Sequence, residues 1–178
     1  MAGDGRLRLF CALQLPHEAL DELAAWQHEH LRGGRVVRRD DLHVTLAFLG
    51  TRPERDVPAV ADCLRAAAAH ARPVELRPLR FRETRSVGMI VLDDVGGAAS
   101  ALAAEVQERL ERLGVYRRER RPWLPHVTVV RFRDGAGLRL EVPNMRSIHV
   151  VRSALYRSIL GRDGARYEAL ETAALGGT

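Results

Sequence analysis

The chain contains no lysine: all 28 of its basic residues are arginine. Set against 23 acidic residues, they leave a formal net charge of +5. That sign suits a polyanionic partner. In a chain so rich in alanine and glycine, however, arginine in place of every lysine reads as a coding bias, so charge alone is weak ground for nucleic-acid binding. Cysteine is scarce too. Cys11 and Cys63 form no CxxC pair, and no Cys/His spacing resembles a zinc site, so both are expected to be small buried or half-buried thiols. No apolar run approaches the ~20 residues that cross a bilayer. The opening "MAGDGRLRLFCALQL" has an early Asp and an apolar stretch too short and interrupted for a signal peptide, so a cytoplasmic site is expected. Linkers and low-complexity segments are absent. What remains is 178 residues of ordinary globular composition, enough for one domain over 1–178, or two small lobes sharing one core.

The apolar pattern predicts strands over 6–15, 42–50, 74–83, 87–95, 126–132, 146–158 and 165–171. Helices are predicted over 16–31, 54–71 and 96–114, with Pro16 at the first helical position and Ser100 or the Gly96–Gly97 pair near the start of the third. The short gap between 83 and 87 predicts an antiparallel pair. Such a succession is α+β, without a parallel βαβ series. Each half also carries a strand, a helix and a strand bearing His-Val-Thr, which predicts a duplicated fold of two similar lobes packed face to face.

Those two strands, "LHVTLAFLG" (42–50) and "PHVTVVRF" (125–132), hold the chemistry. In a strand, residues i and i+2 share a face. His43 and Thr45 therefore share one side, with Val44, Leu46 and Phe48 opposite; His126 and Thr128 share one side, with Val127 and Val129 opposite. The apolar sides suit a core, and the polar sides must line a cleft or find partners. If two-fold symmetry brings the lobes together, two imidazoles and two hydroxyls surround one pocket. One imidazole can take a proton from a nucleophile and the other give one to a leaving oxygen, because histidine titrates near neutrality. Hydroxyls beside them can hold phosphate oxygens. This is acid–base chemistry for in-line attack at phosphorus; no carboxylate cluster for a metal accompanies it. His17, His28, His30, His70 and His149 lack such a setting and are expected on surfaces or helices.

With these motifs the chain resembles the two-histidine (2H) phosphoesterase superfamily, whose hallmark is a His-x-Thr/Ser motif in each half of a duplicated fold. "RLRLFCALQLP", "LAFLG" and "LYRSILGRDGARYEAL" narrow the resemblance to its RNA 2′,3′-cyclic phosphodiesterase branch, also called 2′-5′ RNA ligases. The resemblance implies an α+β fold with two antiparallel sheets flanked by helices around a central cleft. It implies catalytic His43 and His126, phosphate-binding Thr45 and Thr128, and a phosphate contact from Arg131. Arg131 lies five residues after His126, on the opposite face by alternation, so it needs a bulge, a strand end or a long reach. Phe48 would be a stacking or wall residue in the family, yet alternation puts it opposite His43 and predicts core packing. Val36 stands where family members often carry Trp after an Arg, here Arg35. Trp123 could instead stack on a base, although a packing residue on a loop is the plainer expectation. The "RRERR" run (117–121) could steer RNA phosphates or be a solvated loop.

The activity implied is metal- and cofactor-independent opening of a terminal 2′,3′-cyclic phosphate on RNA to a 2′-phosphomonoester, with weak 2′-5′ joining as its microscopic reverse. The partners implied are RNA ends or oligonucleotides with that terminus, and no membrane; a monomer is expected. The rival expectations are a related phosphodiesterase acting on 2′-5′ oligonucleotides or small cyclic nucleotide phosphates, and a non-catalytic RNA-binding module.

Overall fold

The computed structural model describes residues 5–176; residues 1–4 and 177–178, the ends of the domain expected over 1–178 and the start of the stretch weighed as a leader, lie outside the described residues. Two antiparallel sheets face one another. The first has the order β3-β1-β8-β9, built from β1 (Arg6–Gln14), β3 (His43–Pro53), β8 (Arg152–Gly161) and β9 (Gly164–Ala174). The second has the order β2-β6-β5-β4-β7, built from β2 (Arg35–Val36), β4 (Val74–Glu83), β5 (Val87–Val95), β6 (His126–Arg131) and β7 (Ile148–Val150). The fold is α+β, as expected, and β4 and β5 pair antiparallel.

The lobes do not follow the halves of the chain. The first sheet takes strands from both ends, and the second is built mainly from the middle. The single strand expected over 146–158 is two. β7 closes the second sheet, and the chain then crosses at Val151, 64% exposed, to run through the first sheet as β8. Burial alternates in β7, with Ile148 and Val150 inside and His149 out, whereas Ser153, Ala154 and Leu155 of β8 are all buried.

The helices are exchanged between the sheets. α1 (His17–His30) leaves β1 of the first sheet yet lies against the second: Trp26 sits 6.2 Å from the Phe81 ring, and Gln27 donates to the Val129 carbonyl. α3 (Ala98–Arg112) leaves β5 of the second sheet and packs with α2 (Val57–Ala69) on the first, where Gln107 donates to the Leu46 carbonyl. Neither lobe can keep its helix without the other. Gly97, of the expected glycine pair, is the N-cap residue of α3, and Asp94 at the end of β5 supplies the capping carboxylate. That carboxylate accepts the Ala99 and Ser100 amides at 3.1 and 2.7 Å, which satisfies donors the first turn leaves free. Pro16 is the N-cap of α1 rather than its first helical residue. Cys11 is buried and Cys63 half-buried, both free thiols. Burial pushes the Cys11 thiol up to about 12, which keeps it unreactive.

Candidate active site

Both histidine strands are bulged at the same place. In β3, Thr45 pairs with Ala12 and Ala47 with Cys11, so Leu46 is an extra residue. In β6, Thr128 pairs with Met89 and Val130 with Gly88, so Val129 is extra. Each bulge lies three residues after its histidine. One extra residue turns the side chains after it to the other face, in β3 as far as a second bulge at Leu49. The consequence for β3 is that Leu46 and Ala47 are both buried, and Phe48 emerges on the His43 face, 46% exposed. That corrects the expectation of core packing for Phe48. In β6, Val129 and Val130 are both buried, and Arg131 emerges on the His126 face, paired with Val87 as Thr128 is with Met89. Of the bulge, strand end or long reach left open for Arg131, the structure has two: the bulge at Val129 and a place at the end of β6.

β3 forms the edge of the first sheet and lies against β6 of the second. His43 and His126 are consequently close enough to act on each other electrostatically, as are His43 and Arg131. The two imidazoles are tied in the same way. Nδ1 of His43 donates to the Asp41 carbonyl at 2.7 Å, and Nδ1 of His126 to the Leu124 carbonyl at 2.8 Å. A carbonyl only accepts, so in each neutral ring the proton sits on Nδ1 and Nε2 carries the lone pair. The Thr45 hydroxyl donates to Nε2 of His43 at 3.0 Å. Thr128 is half-buried on the His126 face.

The surroundings of the two rings differ. His43 stands against Phe10 (4.9 Å between ring centroids), the edge of Tyr167 (5.2 Å) and Tyr156 (6.4 Å). Phe10 in turn stacks on Tyr156 at 5.1 Å, and Gln14 donates to the Tyr156 hydroxyl at 2.9 Å. Burial pushes His43 down from 6.5 to about 4; its bond to Asp41 opposes the shift, and the charges of Arg131 and His126 add to it. His43 is therefore a neutral proton acceptor at pH 7. Two of the three tyrosines of the chain belong to this wall, and sequence reasoning passed over both. Their signal was present: Phe10, Tyr156 and Tyr167 all lie in the stretches that carry the family resemblance.

Further residues frame the cleft. The Trp123 indole donates to the Thr45 carbonyl at 3.0 Å and packs against the core, tying the loop before β6 to β3; it is a packing residue. Arg35 pairs across β2 and β6 with Arg131, and its guanidinium lies over Gly164 in the β8–β9 turn. Val36 is exposed. Arg8 covers the Phe48 ring, 4.6 Å from its centroid. Arg118 and Arg121 of the basic run pair with Glu111 and Glu119. His17, His28, His70 and His149 are exposed and His30 is half-buried.

The family described as the 2′-5′ RNA ligase superfamily matches residues 15–150 of the chain. The chain is 28% identical to the RNA 2′,3′-cyclic phosphodiesterase of Escherichia coli K12, over 94% of this chain and 96% of that protein. It is 23% identical to the protein of the same name from Methanocaldococcus jannaschii, over 93% of this chain and 99% of that one. The crystal structure of E. coli LigT complexed with 3′-AMP superposes with a TM-score of 0.83 at 25% identity, covering 97% of this chain and 100% of the other. With a family match over residues 15–150, most of its length, and with two bulged His-Val-Thr strands in contact, this chain belongs to the 2′-5′ RNA ligase superfamily.

Proposed function

We propose that the protein is an RNA 2′,3′-cyclic phosphodiesterase, opening a terminal cyclic phosphate to a 2′-phosphomonoester by acid–base catalysis from His43 and His126. The observation that carries this reading is the matched pair of imidazoles on facing strands, each fixed by a backbone carbonyl at Nδ1 and left with Nε2 for chemistry. His43, held neutral by its buried site beside Arg131, takes the proton from the attacking water. His126, which for this role carries a proton on Nε2 as well as on Nδ1, gives the Nε2 proton to the departing 3′ oxygen. Thr45, Thr128 and Arg131 hold the non-bridging oxygens, and Arg131 also offsets the charge that grows on them. Phe48, exposed on the His43 face, offers a platform for the terminal base. Relatives bearing the phosphodiesterase name, and a similar structure solved with 3′-AMP, support a nucleotide end as the substrate.

Short oligonucleotides ending in 2′,3′-cyclic phosphate, incubated with the protein in EDTA, test the reading. The expected product is a 2′-phosphate, identified by phosphorus NMR. A 2′-5′ oligoadenylate and a small cyclic nucleotide phosphate run beside them; turnover of these alone would reassign the substrate. Tight RNA binding with no turnover of any would make the chain a binding module.

A further inference from the structure

The bulges that bring Arg131 and Phe48 to the cleft are each gripped by a buried glutamine. Gln107 of α3 donates through Nε2 to the carbonyl of the extra residue Leu46, at 2.8 Å. Gln27 of α1 donates through Nε2 to the carbonyl of the extra residue Val129, at 2.9 Å, and to the Val37 carbonyl at 3.0 Å. Gln27 is 3% exposed and Gln107 6%. Among the described residues only Asp41 and Ser153 join them as buried polar side chains. A bulge takes its extra residue out of the regular ladder, and a buried amide is tolerated where it finds a partner. The two amides meet that need at equivalent carbonyls, three residues after each histidine, from helices exchanged between the lobes.

We propose that Gln27 and Gln107 are positioning residues that fix the two bulges, Gln27 setting Arg131 on the cleft and Gln107 setting Phe48. Each glutamine acts through its own strand. This rests on the phosphodiesterase reading for its kinetic arm and on the strand register for its structural arm.

Methionine matches glutamine closely in size and lacks the amide, so Gln27→Met and Gln107→Met are the variants. Gln27→Met lowers kcat/KM on a cyclic-phosphate oligonucleotide roughly ten- to a hundredfold, the scale of an ångström-sized misplacement of a binding group. Combined with Arg131→Ala it adds nothing further, whereas combined with Phe48→Ala the losses multiply. Gln107→Met shows the mirror pattern, coupled to Phe48→Ala and independent of Arg131→Ala. A merely destabilising change would multiply with both partners alike, and that result would overturn the inference. Crystal structures of the variants give a second readout: the bulge at Val129 or Leu46 shifts, and Arg131 or Phe48 leaves the cleft face. Both bulges unchanged in both variants would also overturn it. Gln27→Glu and Gln107→Glu, of the same volume, are made in parallel; a site at which neither variant folds has a structural role alone, which contradicts positioning. If the wild-type protein opens no cyclic phosphate, the functional reading fails while the crystal structures still decide the inference.

Discussion

β3 and β6 share a His-Val-Thr sequence, a bulge at the next residue, an Nδ1 bond to a carbonyl two residues back and a buried glutamine on the bulge. They differ in what the bulge delivers and what surrounds the imidazole. β3 presents an exposed aromatic ring, Phe48, and its histidine stands in a wall of Phe10, Tyr156 and Tyr167. β6 presents a guanidinium, Arg131, beside Arg35. The backbone device is thus duplicated while the side chains specialise. One strand supplies a neutral acceptor and an apolar surface; the other supplies positive charge and the second imidazole. On the proposed mechanism, this lets a symmetric scaffold hold an asymmetric reaction, in which one proton is taken and another given.

Removing either histidine should have the largest effect. His43→Ala or His126→Ala should each lower turnover of a cyclic-phosphate end by roughly 10²–10⁴-fold, the usual worth of a positioned acid or base, with circular dichroism unchanged. Arg131→Ala should cost about 10²-fold in kcat/KM, the scale of one lost donor to a charged transition state. It should also raise the His43 pKa, since a repelling charge is gone; an NMR titration of the His43 ring reads this without activity. Phe48→Ala should be milder, raising KM on oligonucleotides by the loss of roughly 1–3 kcal/mol of base stacking. A phosphodiester without a base should not feel the change, and an equal loss on both substrates would remove the stacking role.

The lowered pKa of His43 predicts a pH signature in stability. His43 has a folded-state pKa of about 4 against 6.5 in the unfolded chain, so between those values the unfolded state binds more protons. Its contribution is whole above pH 6.5 and is lost as pH falls through 4, by at most roughly 3 kcal/mol. Urea titrations of wild type and His43→Ala at pH 7 and pH 4 should differ in this pH dependence, the variant losing less.

Much of the site was legible in the sequence because it is local. His43, Thr45, His126 and Thr128 are half-buried on one side of their strands, with Val44 and Val127 buried behind them, as alternation placed them. Alternation failed at Phe48 for a definable reason: a bulge adds a residue that no period-two pattern shows, and Leu46-Ala47 reads like any apolar pair. A bulge was one of three devices open to Arg131, beside a strand end and a long reach, because the family resemblance implied a phosphate contact that alternation opposed. The aromatic wall was hidden because Phe10, Tyr156 and Tyr167 come from three strands that only the sheet order brings together. Sheet membership was equally out of reach. Ile148 and Leu155 look like one strand until Val151 crosses between sheets, and nothing local says that α1 serves the second sheet rather than the first.

The central claim is that the two histidine strands work on one phosphate. Its most direct test is phosphorus NMR of a short oligonucleotide ending in 2′,3′-cyclic phosphate, incubated in EDTA with wild type, His43→Ala or His126→Ala. The account predicts a 2′-phosphate from the wild type and unreacted cyclic phosphate with either variant. Wild-type rates from one of the variants, or a 3′-phosphate product, would contradict it.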